Sequence, residues 1–288
     1  MHIRYLGTSA AEGIPALFCK CELCEKARKS GGKNIRSRSQ MLVNDDLLLD
    51  FGPDTFWHVC RYGLDLSKIE TLLVTHAHED HYTPSELFYR GRPFAYLSGN
   101  KETDAYDPPH LNVYMSEGSY NYESNAFIQN EIVNNHIPLT FHTVRPFETF
   151  AAGNYTVTPL PANHAPGFEA LIYLLTDGKS TMLYAHDTGL LPQETVDYFY
   201  REKPQIDFAS FDCTGMAATH NTGGGYHMNL ERNRVTREQL KDAGCVTPKT
   251  VFCCNHFSHN GCSTHEELVN IMEKDGFLVS YDGMEYTF

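Results

Sequence analysis

No run of apolar residues in this chain approaches the roughly 18 needed to cross a bilayer as a helix, so a helical membrane span is excluded. The opening MHIRYLGTSA has no basic segment followed by an apolar stretch, so we expect no secretory signal there, a cytoplasmic location and no membrane partner. Basic residues are also scarce: 23 Lys and Arg stand against 36 Asp and Glu, a formal charge of −13. That balance leaves no broad basic face for gripping long nucleic acid, so extended nucleic acid is not an expected partner and a phosphate-bearing substrate must be attracted locally. Internal repeats, heptad series and Pro/Ser-rich linkers are absent, which leaves one α/β domain over residues 1–288 as the simplest organisation. Nine cysteines, an odd number, read better as thiolate ligands and buried thiols than as a disulfide framework.

What the chain does have is the segment Thr75-His76-Ala77-His78-Glu79-Asp80-His81, which packs three imidazoles and two carboxylates between His76 and His81. Imidazole nitrogen and carboxylate oxygen suit zinc, manganese or iron, so the segment points to a metal site. Ile69 to Val74 is a mostly apolar, branched run that reads as a buried strand ending where the histidines begin. Pro84 to Arg90 reads as a helix with Thr83 as its N-cap, so the metal loop lies between two rigid elements.

Further strands are expected at His2 to Leu6, Gln40 to Val43, Leu47 to Phe51, Leu111 to Met115, Tyr155 to Leu160, Ala170 to Leu175, Thr181 to Ala185, Asp207 to Asp212, Val251 to Cys254 and Phe277 to Ser280. Helices are expected near Asp54 to Tyr62, Ser119 to Val133, Pro192 to Arg201, Thr236 to Ala243 and Thr264 to Lys274. A site that activates water needs several protein ligands and open positions. His164, Asp187 and His256 each follow one of these strands, as His76 does, and are candidates for the missing ligands; His186 competes with its neighbour Asp187.

With these residues in place the chain resembles the metallo-β-lactamase superfamily, whose HxHxDH motif stands as His76, His78, Asp80 and His81. The resemblance implies a four-layer αββα sandwich, two mixed sheets flanked by helices, with two divalent ions at one edge. It implies that His76, His78 and His164 bind one ion, that Asp80, His81 and His256 bind the other, and that Asp187 bridges them. Asp80 would then be both ligand and catalytic carboxylate, and a water shared by the ions would attack a small phosphodiester. Asp50, ending Leu47 to Leu49, would orient a ligand imidazole from behind, the alternative being a solvated turn carboxylate.

Cys19, Cys21 and Cys24 give three thiols in six residues, a spacing that wants a structural zinc and one more ligand. His259, three residues after His256, is the preferred fourth ligand, with Cys262 as its rival. A CxCxxC near the start with a late HxxH resembles the phosphoribosyl cyclic phosphodiesterases of phosphonate breakdown, in which a zinc loop, here about residues 17–38, lies beside the active site. In that resemblance His227 falls at the general-acid position, with His220 as competitor, and Gly223 to Gly225 would let the loop close. The rivals are a ribonuclease Z-like nuclease, a pyrroloquinoline-quinone-biosynthesis-like metallo-oxidoreductase and, from another class, a metal-binding protein without catalysis.

Two features stay open. Lys20, Lys26, Arg28, Lys29, Lys33, Arg36 and Arg38 form a basic concentration that either attracts phosphate or is a solvated face. Residues 95–124, with Tyr96, Tyr106, Tyr114, Tyr120 and Tyr122, form either a substrate lid or an excursion packed on the body. The oligomeric state is also open, a homodimer included.

Overall fold

The computed structural model describes residues 1–102, 109–218 and 224–288. Its strands form two seven-stranded sheets. The first runs β14 (Glu285–Thr287), β1 (His2–Gly7), β2 (Gln40–Val43), β3 (Leu47–Leu49), β4 (Thr71–Leu73), β5 (Leu111–Ser116), β6 (Leu139–Val144). The second runs β13 (Phe277–Val279), β12 (Val246–Asn255), β11 (Ile206–Asp212), β10 (Thr181–Ala185), β9 (Leu171–Thr176), β8 (Tyr155–Pro161), β7 (Phe150–Ala152). Both are mixed: β3 to β6 are parallel to one another, as are β10 to β13, while the other neighbours are antiparallel.

Strand alternation builds the layers. Along β3, Leu47 and Leu49 face the second sheet while Leu48 faces outward, and in β10 Met182 and Tyr184 face the first sheet while Leu183 and Ala185 face outward. Three cores result: one between the sheets around Tyr5, Met41, Tyr173 and Tyr184, and one on each outer face. Helices α1 (Glu22–Ser30), α6 (Gln193–Glu202), α7 (Leu230–Asp242) and α8 (His265–Met272) contribute Ala27, Phe199, Leu240 and Leu268 to the outer core of the second sheet. On the first sheet α3 (Pro84–Phe88) and α5 (Glu123–Asn134) contribute Leu87 and Ile132. This is the αββα sandwich, with α2 (Thr55–Tyr62) and α4 (Glu117–Tyr120) in the connections of the first sheet.

The differences from the sequence expectations have local causes. Helix α1 lies in the cysteine-rich, basic stretch, where only Leu23, Cys24 and Ala27 carry its apolar face. Helix α7 begins at Leu230 because the Asn229 side chain accepts from the Arg232 amide, although Glu-Arg-Asn-Arg shows little apolar periodicity. Strands β6, β7 and β14 lie at or near sheet edges and are short or largely exposed, so they alternate weakly. The helix expected over Ser119 to Val133 breaks into α4 and α5. Thr83 does not cap α3; its hydroxyl donates to the Glu79 carbonyl at 3.0 Å. Thr264, by contrast, caps α8 in a reciprocal pair with Glu267.

The 95–124 segment is not one excursion, because β5 is an interior strand of the first sheet. Tyr114 stacks on His142 and Phe150, Tyr120 packs on Phe141, and Tyr122 meets Phe168 beside the histidines. Tyr106, His220 and Gly223 lie outside the described residues.

Candidate metal centre

The carboxyl ends of six strands converge at one edge of the sandwich. Asp50 follows β3, His76 follows β4, His164 follows β8, Asp187 follows β10, Asp212 ends β11 and His256 follows β12. Asp50, Asp187 and His256 have φ of 67°, 55° and 60°. Left-handed backbone is costly for residues with a Cβ, and it turns these side chains back across the strand ends.

Asp187 is the hub. Its Oδ2 lies 3.3 Å from His76 Nε2, 3.1 Å from His81 Nε2, 3.4 Å from His164 Nε2 and 3.8 Å from His256 Nε2. Around it His76, His78, His164 and Asp187 gather as one set of ligand atoms and Asp80, His81, Asp187 and His256 as another, each within 4.8 Å. Asp187 thus belongs to both sets. His186 does not compete: it turns inward between the sheets, its Nε2 2.6 Å from Ser210 Oγ and its Nδ1 3.2 Å from Ser39 Oγ.

The donors fit divalent cations. Asp187 Oδ1 is buried without an aligned hydrogen bond among the described residues, although His227 Nδ1 is 3.0 Å away. Buried carboxylate oxygens are rarely left unpaired. His78 Nδ1 lies 2.7 Å from His76 Nε2 and 3.1 Å from His164 Nε2, while His81 Nε2 lies 3.3 Å from His256 Nε2. Imidazole nitrogens that close cannot all carry protons, and a cation shared among them satisfies the lone pairs.

The ligands are held from behind. Asp50 is fully buried; its Oδ2 takes His81 Nδ1 at 2.8 Å, and its Oδ1 accepts from the Thr75 amide at 2.8 Å and the Thr75 hydroxyl at 2.9 Å. It is therefore not a solvated turn carboxylate. Asp212, a site residue the sequence reading passed over, does the same for the other half: its Oδ2 lies 3.3 Å from His256 Nδ1 and 3.1 Å from His227 Nδ1. Its only sequence signal is the one shared by the others, a polar residue where an apolar strand stops. Burial disfavours charging His227, but Asp212 and Asp187 outweigh it and push the ring up to about 11. Burial likewise opposes ionisation of Asp187, yet His256 and His164 hold its carboxyl well below the usual range.

A second cluster lies beside the first. Cys19, Cys21, Cys24 and His259 bring their ligand atoms within 4.8 Å of one another, with His259 Nδ1 3.6 Å from Cys19 Sγ and 3.4 Å from Cys21 Sγ. Cys262 is exposed and stands apart, its Sγ 3.4 Å from the Asn260 carbonyl. Burial raises the Cys21 thiol, but the Cys24 amide and the His259 ring reverse this and bring it to about 6, whereas burial pushes Cys24 up to about 12. Three sulfurs and one imidazole nitrogen at these separations fit a tetrahedral zinc. Cys213, Cys245, Cys253 and Cys254 are buried thiols.

Two cavities adjoin the Asp187 cluster and share Ala11, His78 and Asp80. One, of about 270 Å³, is bounded by Glu12, His164, His227, His256 and Asn260; the other, of about 510 Å³, by Arg38, Pro53, Glu79 and Tyr122. The centre is open to small molecules on two sides. Among the described residues no helix is long and apolar enough to cross a membrane.

Comparison with known proteins follows the same lines. Coenzyme PQQ synthesis protein B of Methylorubrum extorquens is 32% identical over 108 residues, a match covering 33% of this chain and 36% of that protein. The corresponding protein of Methylobacterium radiotolerans is 26% identical over 131 residues, covering 41% and 44%. Solved structures share the fold along the whole chain: a diphosphatase of the PhnP family (TM-score 0.72, 19% identity, 100% of this chain and 97% of that one); zinc-bound PqqB from Methylobacterium extorquens (0.70, 17%, 100% and 100%); and human tRNase Z, short form (0.62, 13%, 100% and 99%). The model of the beta-lactamase superfamily domain matches residues 46–252, most of the chain and every residue of the Asp187 cluster but His256, and the protein belongs to that superfamily.

Proposed function

We propose that residues 1–288 form a single hydrolase domain that cleaves a small phosphodiester, cyclic ribose phosphates included, using two divalent ions at the Asp187 cluster and a structural zinc at Cys19, Cys21, Cys24 and His259. The observation that carries this is the convergence of two ligand sets on one buried carboxylate whose Oδ1 has no aligned partner among the described residues. In this scheme His76, His78 and His164 would hold one ion and Asp80, His81 and His256 the other, with Asp187 available to both; the nitrogen and oxygen donors admit zinc, manganese or iron. When bound, the ions lower the pKa of water towards neutrality and neutralise phosphoryl oxygens.

The chain's own residues do the rest. Asp50 and Asp212 fix the rings of His81 and His256 through their Nδ1 atoms, which aims Nε2 of each at the cluster. Asp212 holds His227 in the same way at 3.1 Å, leaving His227 Nε2 as the atom that hands a proton to the departing alkoxide. Asp80 lies 3.2 Å from His81 Nε2 at the boundary of both cavities, where a substrate must pass.

The test is turnover of aryl phosphodiesters and ribose cyclic phosphates by metal-loaded protein. Cleavage of either class is expected, and a preparation that retains its metals but cleaves neither overturns the proposal. A second reading is favoured by the 32% identity to coenzyme PQQ synthesis protein B: a part in the synthesis of such a coenzyme. It predicts no diester cleavage.

A further inference from the structure

The basic stretch between Lys20 and Arg38 disperses in the fold. Lys26 pairs with Glu22 at 2.9 Å, Arg28 with Glu25 at 2.8 Å and Arg38 with Asp54 at 2.9 Å, while Arg36 is buried against Thr8 and Ser280. Three other cations lack such partners. Arg90, Arg92 and Lys101 form no ion pair among the described residues, in a chain whose formal charge is −13. They gather at one cavity on the outer face of the first sheet, which no metal ligand lines.

The cavity holds about 310 Å³ and its wall is largely apolar. Leu48 of β3, Leu72 of β4 and Leu111 of β5 line it from outward positions of the sheet, Leu87 from α3, and Phe51 from the end of β3. That size is enough for a small molecule, since such pockets start at about 300 Å³. Phe51 also ties the wall to the metal loop: its amide donates to the His81 carbonyl at 2.7 Å and its carbonyl accepts from the Thr83 amide at 2.8 Å.

Arg90, on the same wall, supplies a polar end. Its half-buried side chain donates through Nε to the Pro138 carbonyl at 3.2 Å and through Nη2 to the Pro109 carbonyl at 3.0 Å, which leaves Nη1 without a hydrogen-bond partner among the described residues. Burial pushes the guanidinium down to about 10 and no acidic side chain offsets it, yet the group stays cationic at neutral pH. A cation withdrawn from water without a counter-charge is costly, and an anion beside it relieves that cost. Tyr96, also on the wall, has Lys101 Nζ 4.8 Å and Arg92 Cζ 5.6 Å from its ring centre, so the field here is positive. Glu86, the one acidic residue that lines the cavity, is exposed to water, which screens it.

We propose that this cavity is a binding site for a small amphipathic carboxylate, its alkyl or aryl body among the leucines and its carboxylate at Arg90. This holds whatever reaction the Asp187 cluster performs. The leucines select for the body of the ligand, and the unpaired guanidinium selects for its charge.

Calorimetric titration of the metal-loaded protein with octanoate, 1-octanol and acetate separates the two contributions. Wild-type protein is expected to bind octanoate about tenfold or more tighter than 1-octanol and about 100-fold or more tighter than acetate. Arg90→Met is expected to bind octanoate no better than 1-octanol. Ala95→Phe, at a half-buried position of the wall, fills the cavity and is expected to abolish octanoate binding; it locates the site even if Arg90→Met does not fold. Equal binding of octanoate and 1-octanol by wild-type protein overturns the proposal, as does a preference for octanoate that survives Arg90→Met. Octanoate binding that survives Ala95→Phe belongs to the metal centre or another surface and also overturns it. Binding of neither long-chain compound does the same and leaves the cavity to an apolar side chain of a protein partner.

Discussion

The two ligand clusters lie side by side and are assembled in opposite ways. The cysteine cluster takes three of its four ligands from six consecutive residues and completes itself with His259, only three residues after His256 of the other cluster. The Asp187 cluster draws on the ends of β4, β8, β10 and β12, from both sheets. Local thiols suffice for a closed tetrahedral site that staples a loop. A site open to substrate needs ligands that stay in position without one another, and the rigid strand ends with Asp50 and Asp212 behind them supply that. The clusters are nevertheless joined: Glu12 accepts from Ser258, between His256 and His259, and lies 3.7 Å from His259 Nε2 while bordering the smaller cavity.

The sharpest separation of the two comes from Asp187→Ala. Metal analysis is expected to fall from about three equivalents to about one, with diesterase kcat/KM down about a thousandfold and the cysteine-bound zinc retained. Loss of the cysteine-bound metal as well would mean that the two clusters form one unit. His227→Asn is expected to lower kcat by about 100-fold or more at unchanged metal content, with the largest loss on diesters with poor leaving groups. A uniform loss across leaving groups would remove it from proton transfer. Asp50→Asn is expected to weaken metal retention at the Asp187 cluster by about 10- to 100-fold, read by chelator competition, and to leave the cysteine site untouched.

Cys21→Ser works from the other side: about one metal equivalent is lost and the melting temperature falls, while the Asp187 cluster keeps its ions. The smallest effect is expected from pH. His58 Nδ1 donates to Gln40 Oε1 at 2.6 Å, its Nε2 lies 2.8 Å from Ser37 Oγ, and Gln40 Nε2 in turn donates to the Asp50 carbonyl at 3.0 Å. Burial drives His58 down to about 4, against a partial upward pull from Asp54. The unfolded chain, titrating near about 6.5, takes up this proton first, so the contribution is complete above that pH and is lost as pH falls towards 4. Melting curves of wild type and His58→Gln are expected to converge with acidification across that window, and parallel curves would contradict it.

Much of the Asp187 cluster was legible because metal chemistry restricts residue type and strands stop at recognisable places. His76 to His81 announces itself by density, and His164, Asp187 and His256 by their positions after apolar runs. Asp212 was not legible, since a single carboxylate ending a strand looks like any turn residue until His227 and His256 are seen to share it. Arg38 was visible only as one of seven cations, and nothing local distinguishes it from Lys26 or Arg28. Helix α1 was hidden for a similar reason: three apolar positions among charges and cysteines give too little periodicity to register.

By itself the sequence determined the donor atoms, their order and the alternating strands that make a layered α/β fold, because these depend on residue type and short-range spacing. Only the tertiary structure decided that Asp187 rather than His186 faces the centre, that His259 rather than Cys262 completes the cysteine set, and that Arg38 stands at the cavity wall. Those choices hang on which way a side chain turns at a strand end and which distant segment packs against it. Left-handed φ at Asp187 and His256, and the close approach of Gly52 to the Asp80 backbone, come from long-range packing that spacing along the chain does not encode.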